Sequence, residues 1–365
     1  MKQDLKSSLE NLSTKGILYK QLDNKNDFIQ CYACAHRCNI KSGASGVCKV
    51  RYNKNNELYV PFGYVAAWQC DPIEKKPFFH AYPRSLAMSF GMLGCDLHCD
   101  YCQNWLTSQA LRNPIAGVPP RKISAEKFIS EALRYNARVV TSTYNEPLIT
   151  SEWAVEIFKK AKQKNLATSY VSNGNATSEV LEYIRPYTDL YKIDLKSFND
   201  RNYRKLGCTL DAVLSTIKNV HKLGFWLEIV SLIIPGFNDS NDELLQMAEF
   251  ISSISSNIPW HVTGFHKDYK MMDPSDTPVN TLLKAAKIGE DAGLNFVYTG
   301  NRPGMTGEHE NTKCPKCKAT LIERYGFSVG KYSITKDGKC SNCSTSIPGI
   351  WEEPQSRSQN YPILI

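Results

Sequence analysis

Apolar residues recur along the middle of the chain with two different spacings. Short, mostly apolar runs bounded by polar or glycine-containing turns are typical of buried strands. Between these runs, apolar residues recur every three or four positions, as on one face of a helix, and Ser124 and Ser151 stand where two such helices would begin. The runs follow one another in the order SLAMSF, VVTSTYNEP, ATSYVSNG, LYKIDLKS, WLEIVSLIIPG, HVTGF and NFVYTG.

This alternation predicts about six or seven parallel strands, because each strand is followed by a helix that can cross over to the next strand. The predicted fold class is therefore α/β, a partial TIM barrel of about six parallel β/α units, over residues 83–305. A small N-terminal Cys-rich, metal-binding module is expected over residues 1–82, and a C-terminal zinc ribbon over residues 306–365. In such a barrel the active site lies at the carboxyl ends of the strands.

The composition narrows the class of protein. A hydrophobic content of 42% is ordinary for a globular chain of 365 residues with a sizeable core. No apolar run reaches the ~18 residues that a membrane span needs, and the polar first residues lack the apolar stretch of a signal peptide. Thirteen cysteines at metal-ligand spacings favour metals over disulfides, and hence a cytoplasmic location. The net charge of +8 neither indicates nor excludes a nucleic-acid partner.

Two of the three cysteine groups flank the predicted barrel. Cys-x2-Cys units let two thiolates reach one metal. Two such units around a hairpin-like stretch are typical of a zinc ribbon, and here they comprise Cys314, Cys317, Cys340 and Cys343. The N-terminal group comprises Cys31, Cys34, Cys38 and Cys48. Its ligand set suits zinc or a second iron–sulfur cluster, and the spacing does not separate the two. Cys70 and Cys208 belong to no group and are expected to be ordinary small side chains.

The third group, Cys95, Cys99 and Cys102, directly follows the first strand of the predicted barrel. A short Cys-x3-Cys-x2-Cys loop can place three thiolates on three irons of a 4Fe–4S cluster, whereas a structural cluster uses four. The fourth iron then stays open for a substrate, as an open position does at a catalytic zinc. Three unrelated thiols, or three ligands of a zinc site, are the alternative interpretation.

With this motif the sequence resembles the radical S-adenosylmethionine (radical SAM) superfamily. The resemblance implies two cofactors, a 4Fe–4S cluster and S-adenosylmethionine (SAM), held in a partial barrel. It implies that the open iron chelates the amino and carboxylate groups of SAM. One electron then cleaves SAM to methionine and a 5′-deoxyadenosyl radical, so an electron donor such as flavodoxin or ferredoxin is implied as a partner.

Polar residues at the predicted strand ends are similar to motifs of the pyruvate formate-lyase activating enzymes. Glu146, in Tyr144-Asn145-Glu146, keeps the carboxylate of a Gly-Gly-Glu motif that contacts the SAM amino group, although both glycines are missing. Asp194 and Lys196 match an Asp-x-Lys motif, which implies contacts with the ribose and the carboxylate of SAM. The remaining candidates for SAM contacts are Tyr101, Asn145, Ser172, Asn173 and His266.

A closer resemblance, to the AmmeMemoRadiSam-system radical SAM proteins, spans most of the chain. It rests on the segments CYACAHRCNIKSGASGVCKVR, DPIEKKPFFH, GCDLHCDYCQNW and FHKDYK. It implies a Memo-like or AMMECR1-like protein as a partner and leaves the substrate undefined. The charged residues of DPIEKKPFFH suggest either a solvated turn or a lid over the barrel mouth; they are Asp71, Glu74, Lys75 and Lys76. Asp194 and Lys196 could instead simply pair with each other, and His261 is expected in the core.

Together these patterns predict an oxygen-sensitive radical SAM enzyme that abstracts hydrogen from an unidentified substrate. The similarity to activating enzymes favours a protein substrate, while a small molecule, a lipid or an RNA base stays open. Two rival functions remain. One is an iron–sulfur and zinc scaffold that binds nucleic acid or protein without catalysis, which the ribbon supports because ribbons often serve binding. The other is transfer of the aminocarboxypropyl group of SAM.

Overall fold

The computed structural model describes residues 2–22, 27–352 and 363–364. These residues form one large sheet and four small sheets. The strands before the large sheet are short and antiparallel; they are β1 (Ser13–Lys15), β2 (Tyr19–Gln21), β3 (Phe28–Cys31), β4 (Asn39–Lys41), β5 (Tyr52–Lys54), β6 (Glu57–Pro61) and β7 (Tyr64–Val65). All of them except β7 build two three-stranded sheets, β1-β6-β5 and β2-β3-β4, in the N-terminal part of the chain.

The large sheet carries the candidate site. The next strands in the chain are β8 (Ala67–Pro72), β9 (Leu86–Gly91), β10 (Arg121–Lys122), β11 (Ala137–Ser142), β12 (Ala167–Ser172), β13 (Leu190–Asp194), β14 (Trp226–Ile233), β15 (Trp260–Gly264) and β16 (Val297–Gly300). All except β10, which pairs with β7, belong to the sheet. β9 and β11 to β16 are mutually parallel and lie side by side in chain order. The predicted α/β class with a parallel core is therefore confirmed.

One helix precedes all the strands of the described chain, and the other helices connect the parallel strands. In the described residues they are α1 (Lys2–Glu10), α2 (Trp105–Ser108), α3 (Ala125–Arg134), α4 (Ser151–Gln163), α5 (Ser178–Ile184), α6 (Asp200–Leu206), α7 (Leu210–Lys222), α8 (Asn241–Ile254) and α9 (Val279–Asp291). Ser124 caps α3 by accepting a hydrogen bond from the amide of Lys127, as its position before the apolar face predicts. Phe128 of α3 and Phe158 of α4 pack against Phe90 of β9, so these helices cover one face of the sheet.

The N-terminal module is joined to the sheet by a buried ion pair. Arg51 donates two hydrogen bonds to the carboxylate of Glu152 on α4, at 2.7 and 2.8 Å, and a third to the carbonyl of Ile149 at 3.0 Å. Arg51 is only 1% exposed. Strand β8, which lies before the predicted boundary at residue 82, pairs with β9 and is part of the large sheet. The boundary itself stays a prediction.

The charged segment DPIEKKPFFH connects β8 to β9 and lies at the amino ends of the parallel strands. Ile73 and Phe78 are fully buried there against Ala87 of β9 and Val139 of β11. The segment is therefore neither a solvated turn nor a lid at the carboxyl ends of the strands. The reason is its apolar content, because burying the two large side chains draws the charged neighbours into the interior with them.

The last strands form the ribbon. The ribbon strands are β17 (Thr312–Lys313), β18 (Thr320–Tyr325) and β19 (Ser328–Tyr332). A further strand, β20 (Ile363–Leu364), is not part of the ribbon and pairs antiparallel with β8 at the edge of the large sheet. A hydrogen-bond chain joins the ribbon to the large sheet. The ring nitrogens of His80 lie 2.6 Å from the carbonyl of Pro348 and 2.6 Å from the hydroxyl of Tyr298, which lies 2.9 Å from the hydroxyl of Thr312.

Candidate active site

The cysteine loop follows β9 and runs beside the N-terminal module. Gly94 has a φ of 94°, a backbone conformation that favours glycine. A β-carbon at Gly94 would also lie 2.8 Å from Val50 and 3.1 Å from the carbonyl oxygen of Cys48. Glycine is therefore needed both for the turn and for the close approach of the two backbones.

The three thiols of this loop are largely enclosed. Burial raises the pKa of Cys99 to about 12 and also raises the pKa of Cys95 and of Cys102. Buried thiols with raised pKa values become thiolates when a metal centre supplies positive charge. Of the Cys, His, Asp and Glu ligand atoms described, only the ribbon cysteines form a group of three or more within 4.8 Å of one another. The three sulfurs of the loop therefore do not form such a compact set.

Glu146 lies at the centre of the predicted polar set and is only 2% exposed. Its carboxylate accepts hydrogen bonds from the hydroxyl of Ser172 and the amide of Asn173, both at 2.7 Å. Burial and, to a lesser extent, the charge of Asp96 raise the pKa of Glu146 to about 8. In the described chain no Lys, Arg or His lies within 4 Å of this carboxylate, so its hydrogen bonds are to neutral donors. The structure therefore brings together Glu146, Ser172 and Asn173.

Asp96, which the sequence reasoning missed, links this set to the cysteine loop. It is fully buried and accepts hydrogen bonds from the side-chain amides of Asn173 at 2.7 Å and Asn175 at 2.8 Å. Asn145 is anchored to the same loop, because its side-chain oxygen accepts a hydrogen bond from the amide of Met92 at 3.0 Å. The position of Asp96, directly after the first cysteine of the motif, is the feature of the sequence that could have identified it as a site residue.

Asp194 and Lys196 lie at the end of β13 and pair with each other, Lys196 Nζ to Asp194 Oδ2 being 3.0 Å. Lys192, which the sequence reasoning missed, contacts the other carboxylate oxygen. Burial alone would raise the pKa of Asp194, but the two lysines outweigh burial and lower it. Asp194 and Lys196 therefore do pair with each other, as one of the two interpretations predicted. Because two lysines contact one carboxylate, the local charge is positive, which suits an anionic ligand.

The remaining predicted side chains lie around the loop. Tyr101 is buried and packs edge-on against Phe237, in the turn that follows β14, with ring centroids 5.8 Å apart. His266 is exposed, and its Nε2 lies 2.8 Å from the side-chain nitrogen of Gln103, the residue after Cys102. His261 is buried and its Nε2 lies 2.7 Å from a carboxylate oxygen of Glu228, which confirms its place in the core.

A second unforeseen network joins the β8–β9 connection to the residue before Asn145. Lys76 donates hydrogen bonds to Tyr144 at 2.9 Å and to Asp71 at 3.0 Å, and Tyr144 donates to Gln69 at 3.2 Å. Burial lowers the pKa of Lys76 to about 8, although Asp71 opposes that shift. Tyr144 adopts a φ of 67°, an unfavourable conformation for a side chain of this size. In the sequence the charged residues Lys76 and Asp71 indicate an exposed position, so no pattern predicted their burial.

A cavity of about 2030 Å³ opens along the sheet. Its wall includes His266 and Gln103 beside the cysteine loop, the exposed Tyr325 and Phe327 at the turn of the ribbon hairpin, and Asp71 and Glu74 at the amino ends of the strands. The cysteines of the loop, Glu146, Asp194 and Lys196 do not line it. Pockets for small molecules usually measure about 300–1,000 Å³. The cavity is therefore larger than one small ligand requires, and the ribbon contributes to its wall.

The ribbon cysteines form a compact four-thiolate set. Cys314 lies 3.6 Å from Cys343, and Cys317 lies 3.7 Å from Cys340, measured between sulfurs. Four thiolates about 2.3 Å from one zinc ion would have sulfurs about 3.8 Å apart. Hydrogen bonds to Thr345 lower the pKa of Cys343 to about 6, which favours the thiolate. The set fits a single tetrahedral ion. Cys70 and Cys208 are buried as free thiols.

Fold and site together define a parallel-sheet α/β protein with a cysteine-bearing polar site at the carboxyl ends of its strands. Residues 91–251 match the Radical SAM superfamily. The chain is 36% identical over 336 residues to an uncharacterized protein of Methanocaldococcus jannaschii, which covers 91% of this chain and 98% of that relative. It is 25% identical over 220 residues to the pyruvate formate-lyase-activating enzyme of Staphylococcus aureus, which covers 53% of this chain and 84% of that enzyme.

Solved structures align with this chain at lower sequence identity than these relatives. A domain of a pyruvate-formate lyase-activating enzyme from Bacteroides vulgatus aligns with a TM-score of 0.40 and 21% identity, over 44% of this chain and 98% of that chain.

The chain belongs to the radical SAM superfamily and is a radical SAM enzyme. None of the helices in the described ranges combines the length and the apolar character needed to cross a membrane.

Proposed function

We propose that this enzyme reductively cleaves SAM to methionine and a 5′-deoxyadenosyl radical and abstracts a hydrogen atom from a substrate. One observation carries the proposal. Three separate polar sets, which the sequence scatters over about a hundred residues, meet at the carboxyl ends of adjacent parallel strands. They are the cysteine loop after β9, Glu146 with Ser172 and Asn173, and Asp194 with Lys196.

Each set has a role that its surroundings support. Cys95, Cys99 and Cys102 would hold the 4Fe–4S cluster, which when bound supplies the electron for SAM cleavage at its open iron. Glu146 would accept the amino group of SAM and must lose a proton to do so, since its pKa is raised to about 8. Lys196 would bind the SAM carboxylate and Asp194 the ribose hydroxyls. Tyr101, Asn145 and His266 would border the same ligand.

The substrate that the site supports best is a segment of a protein. The cavity of about 2030 Å³ exceeds the size of a single small-molecule pocket. The exposed aromatic residues Tyr325 and Phe327 of the ribbon border it and could contact a polypeptide. The relative from Staphylococcus aureus is an activating enzyme by name, which favours the same substrate class.

The other assignments complete the proposal. Cys314, Cys317, Cys340 and Cys343 would bind Zn²⁺ in the ribbon. Flavodoxin or ferredoxin would supply electrons, and a Memo-like or AMMECR1-like protein would be the partner if the chain belongs to the AmmeMemoRadiSam-system proteins. The sheet would curve into a partial barrel. Thirteen cysteines, all free where the structure describes them, support a cytoplasmic location.

The test is the nucleoside that anaerobically reconstituted, dithionite-reduced protein releases from SAM. We expect 5′-deoxyadenosine from the wild type and from Cys70→Ala, a control that removes a thiol outside the cysteine groups. Cys99→Ala should release none while it keeps the ribbon metal. Residual 5′-deoxyadenosine from Cys99→Ala would contradict the proposal. Methylthioadenosine would indicate aminocarboxypropyl transfer, and salt-dependent RNA binding without SAM cleavage would favour the scaffold.

A further inference from the structure

The four cysteines of the N-terminal module differ in geometry from those of the ribbon. The ribbon sulfurs all lie within 4.8 Å of one another, whereas among the described residues no three sulfurs of Cys31, Cys34, Cys38 and Cys48 do. The cysteine loop after β9 shows the same wider spacing. In one chain, therefore, the N-terminal group resembles the iron–sulfur loop and not the compact four-thiolate set.

The four cysteines nevertheless lie close together in the structure. The amide of Cys31 donates to the carbonyl of Cys38 at 2.9 Å, which closes the first loop of the group. A turn in which the amide of Lys49 donates to the carbonyl of Gly46 at 3.0 Å brings the fourth cysteine back towards them. Gly46 itself lies beside Cys38, because a β-carbon there would be 3.4 Å from its sulfur.

The group is also enclosed. Cys31, Cys34 and Cys48 are at most 7% exposed, so the space that they enclose is shielded from water.

Backbone amides point at two of the sulfurs. The amide of Val47 donates to the sulfur of Cys38 at 3.5 Å. The amides of Val50 and Arg51 donate to the sulfur of Cys48. Hydrogen bonds to ligand sulfurs and exclusion of solvent are two of the means by which proteins tune iron–sulfur clusters.

We propose that Cys31, Cys34, Cys38 and Cys48 bind a second 4Fe–4S cluster. Each thiolate of a cubane binds a different iron, so its ligand sulfurs stand farther apart than around one zinc ion. In this group no three sulfurs all lie within 4.8 Å of one another, which agrees with a cubane. With four protein ligands this cluster has no open iron and does not bind SAM. The inference goes beyond the proposed reaction and does not depend on it.

The second cluster would lie directly beside the first. The carbonyl of Cys48 lies against Gly94, next to Cys95, and the amide of Ala35 donates to the carbonyl of Asn175 at 2.9 Å. Asp96 lies between the two groups, 3.8 Å from Nε2 of His36. The two iron sites therefore share one wall of protein.

The test uses the full chain with Cys95→Ala, Cys99→Ala and Cys102→Ala, which removes the first cluster. After anaerobic reconstitution we expect about four iron and four sulfide, and about one zinc, per chain. Dithionite reduction should give an electron paramagnetic resonance signal that added SAM does not change. Adding Cys31→Ala together with Cys34→Ala, which leaves only two thiolates in the group, should abolish iron and signal, and adding Cys70→Ala in their place should abolish neither.

Two zinc ions and no iron in the triple variant would overturn the proposal. One retained zinc and an unchanged circular dichroism spectrum show that a variant without iron is still folded. About four iron in the wild type and none in the triple variant would overturn the second cluster while leaving the proposed reaction intact. Iron retained in the triple variant would support the second cluster even if the wild type cleaved no SAM.

Discussion

Replacing Glu146 by glutamine should weaken SAM binding by an amount that depends on pH. The substitution keeps the shape of the side chain and one oxygen, which can accept the hydrogen bond from the amide of Asn173. It removes the negative charge and replaces the other oxygen, which accepts from Ser172, with an NH2 group. Because the carboxylate is buried and has no basic partner within 4 Å in the described chain, a bound ammonium would be its main counter-charge.

Removing one partner of a buried, hydrogen-bonded charge pair costs about 2–5 kcal/mol, or about 30-fold to several-thousand-fold in affinity. At neutral pH the wild-type protein gains less binding free energy than this from the charge pair. With a pKa of about 8, Glu146 must release a proton when SAM binds, which costs about 1.4 kcal/mol at pH 7. The expected loss for Glu146→Gln at pH 7 is therefore about 3-fold to 400-fold.

The same reasoning fixes the sign of the pH dependence. Below pH 8 the proton cost falls as the pH rises, so the ratio of the two dissociation constants should increase about tenfold between pH 6.5 and 7.5. Any titration of SAM itself cancels in this ratio. Anaerobic calorimetry on reconstituted protein measures it, with Glu131→Gln on α3 as the matched control. A ratio near one, or a ratio that does not change with pH, would refute the assigned role of Glu146.

Three further predictions concern the rest of the structure. Arg51→Met should lower the free energy of unfolding by about 3–5 kcal/mol because it leaves Glu152 buried and unpaired, and adding Glu152→Leu should restore most of the loss in urea denaturation; equal losses in the single and double variants would contradict this. Burial lowers the pKa of His80 to about 4, so the neutral imidazole stabilises the fold above pH 6.5, and up to about 3 kcal/mol should be lost as the pH falls towards 4; thermal unfolding of His80→Gln should show a flatter pH dependence, and an unchanged slope would exclude His80 as its source. Tyr144→Phe should destabilise the protein by about 1–3 kcal/mol because Lys76 loses a hydrogen-bond acceptor, and an unchanged melting temperature would show that the bond contributes nothing.

The parallel sheet could be predicted because each strand has a short apolar run and each helix a three-to-four-residue period. Strands β9 and β11 to β16 all fall on the predicted runs, and Glu146, Ser172 and Asn173 meet because parallel strands end at one edge. Strand β8 escaped this reasoning, since an antiparallel addition to a parallel sheet has no crossover helix to announce it.

Buried charges were the least predictable part of the site. Asp71, Lys76 and Asp96 are polar residues in connecting segments, and such residues are mostly exposed. Their burial follows from partners distant in sequence, such as Tyr144 for Lys76 and Asn175 for Asp96. Periodicity is a local property, so it carries no information about such partners. The wide spacing of the N-terminal thiols was likewise invisible, because one-dimensional spacing is compatible with either metal.

The hydrogen-bond chain from Thr312 through Tyr298 and His80 to Pro348 bears on how freely parts of this protein can be exchanged. The ribbon and the β8–β9 connection lie far apart in sequence, yet each supplies the other with partners for buried polar atoms. A chain cut after residue 305 would leave the imidazole of His80 without its carbonyl partner in an apolar setting, which is costly. A transplanted ribbon would need the matching connection as well. The natural unit of exchange is therefore discontinuous, and the ribbon and the connection should change together among relatives.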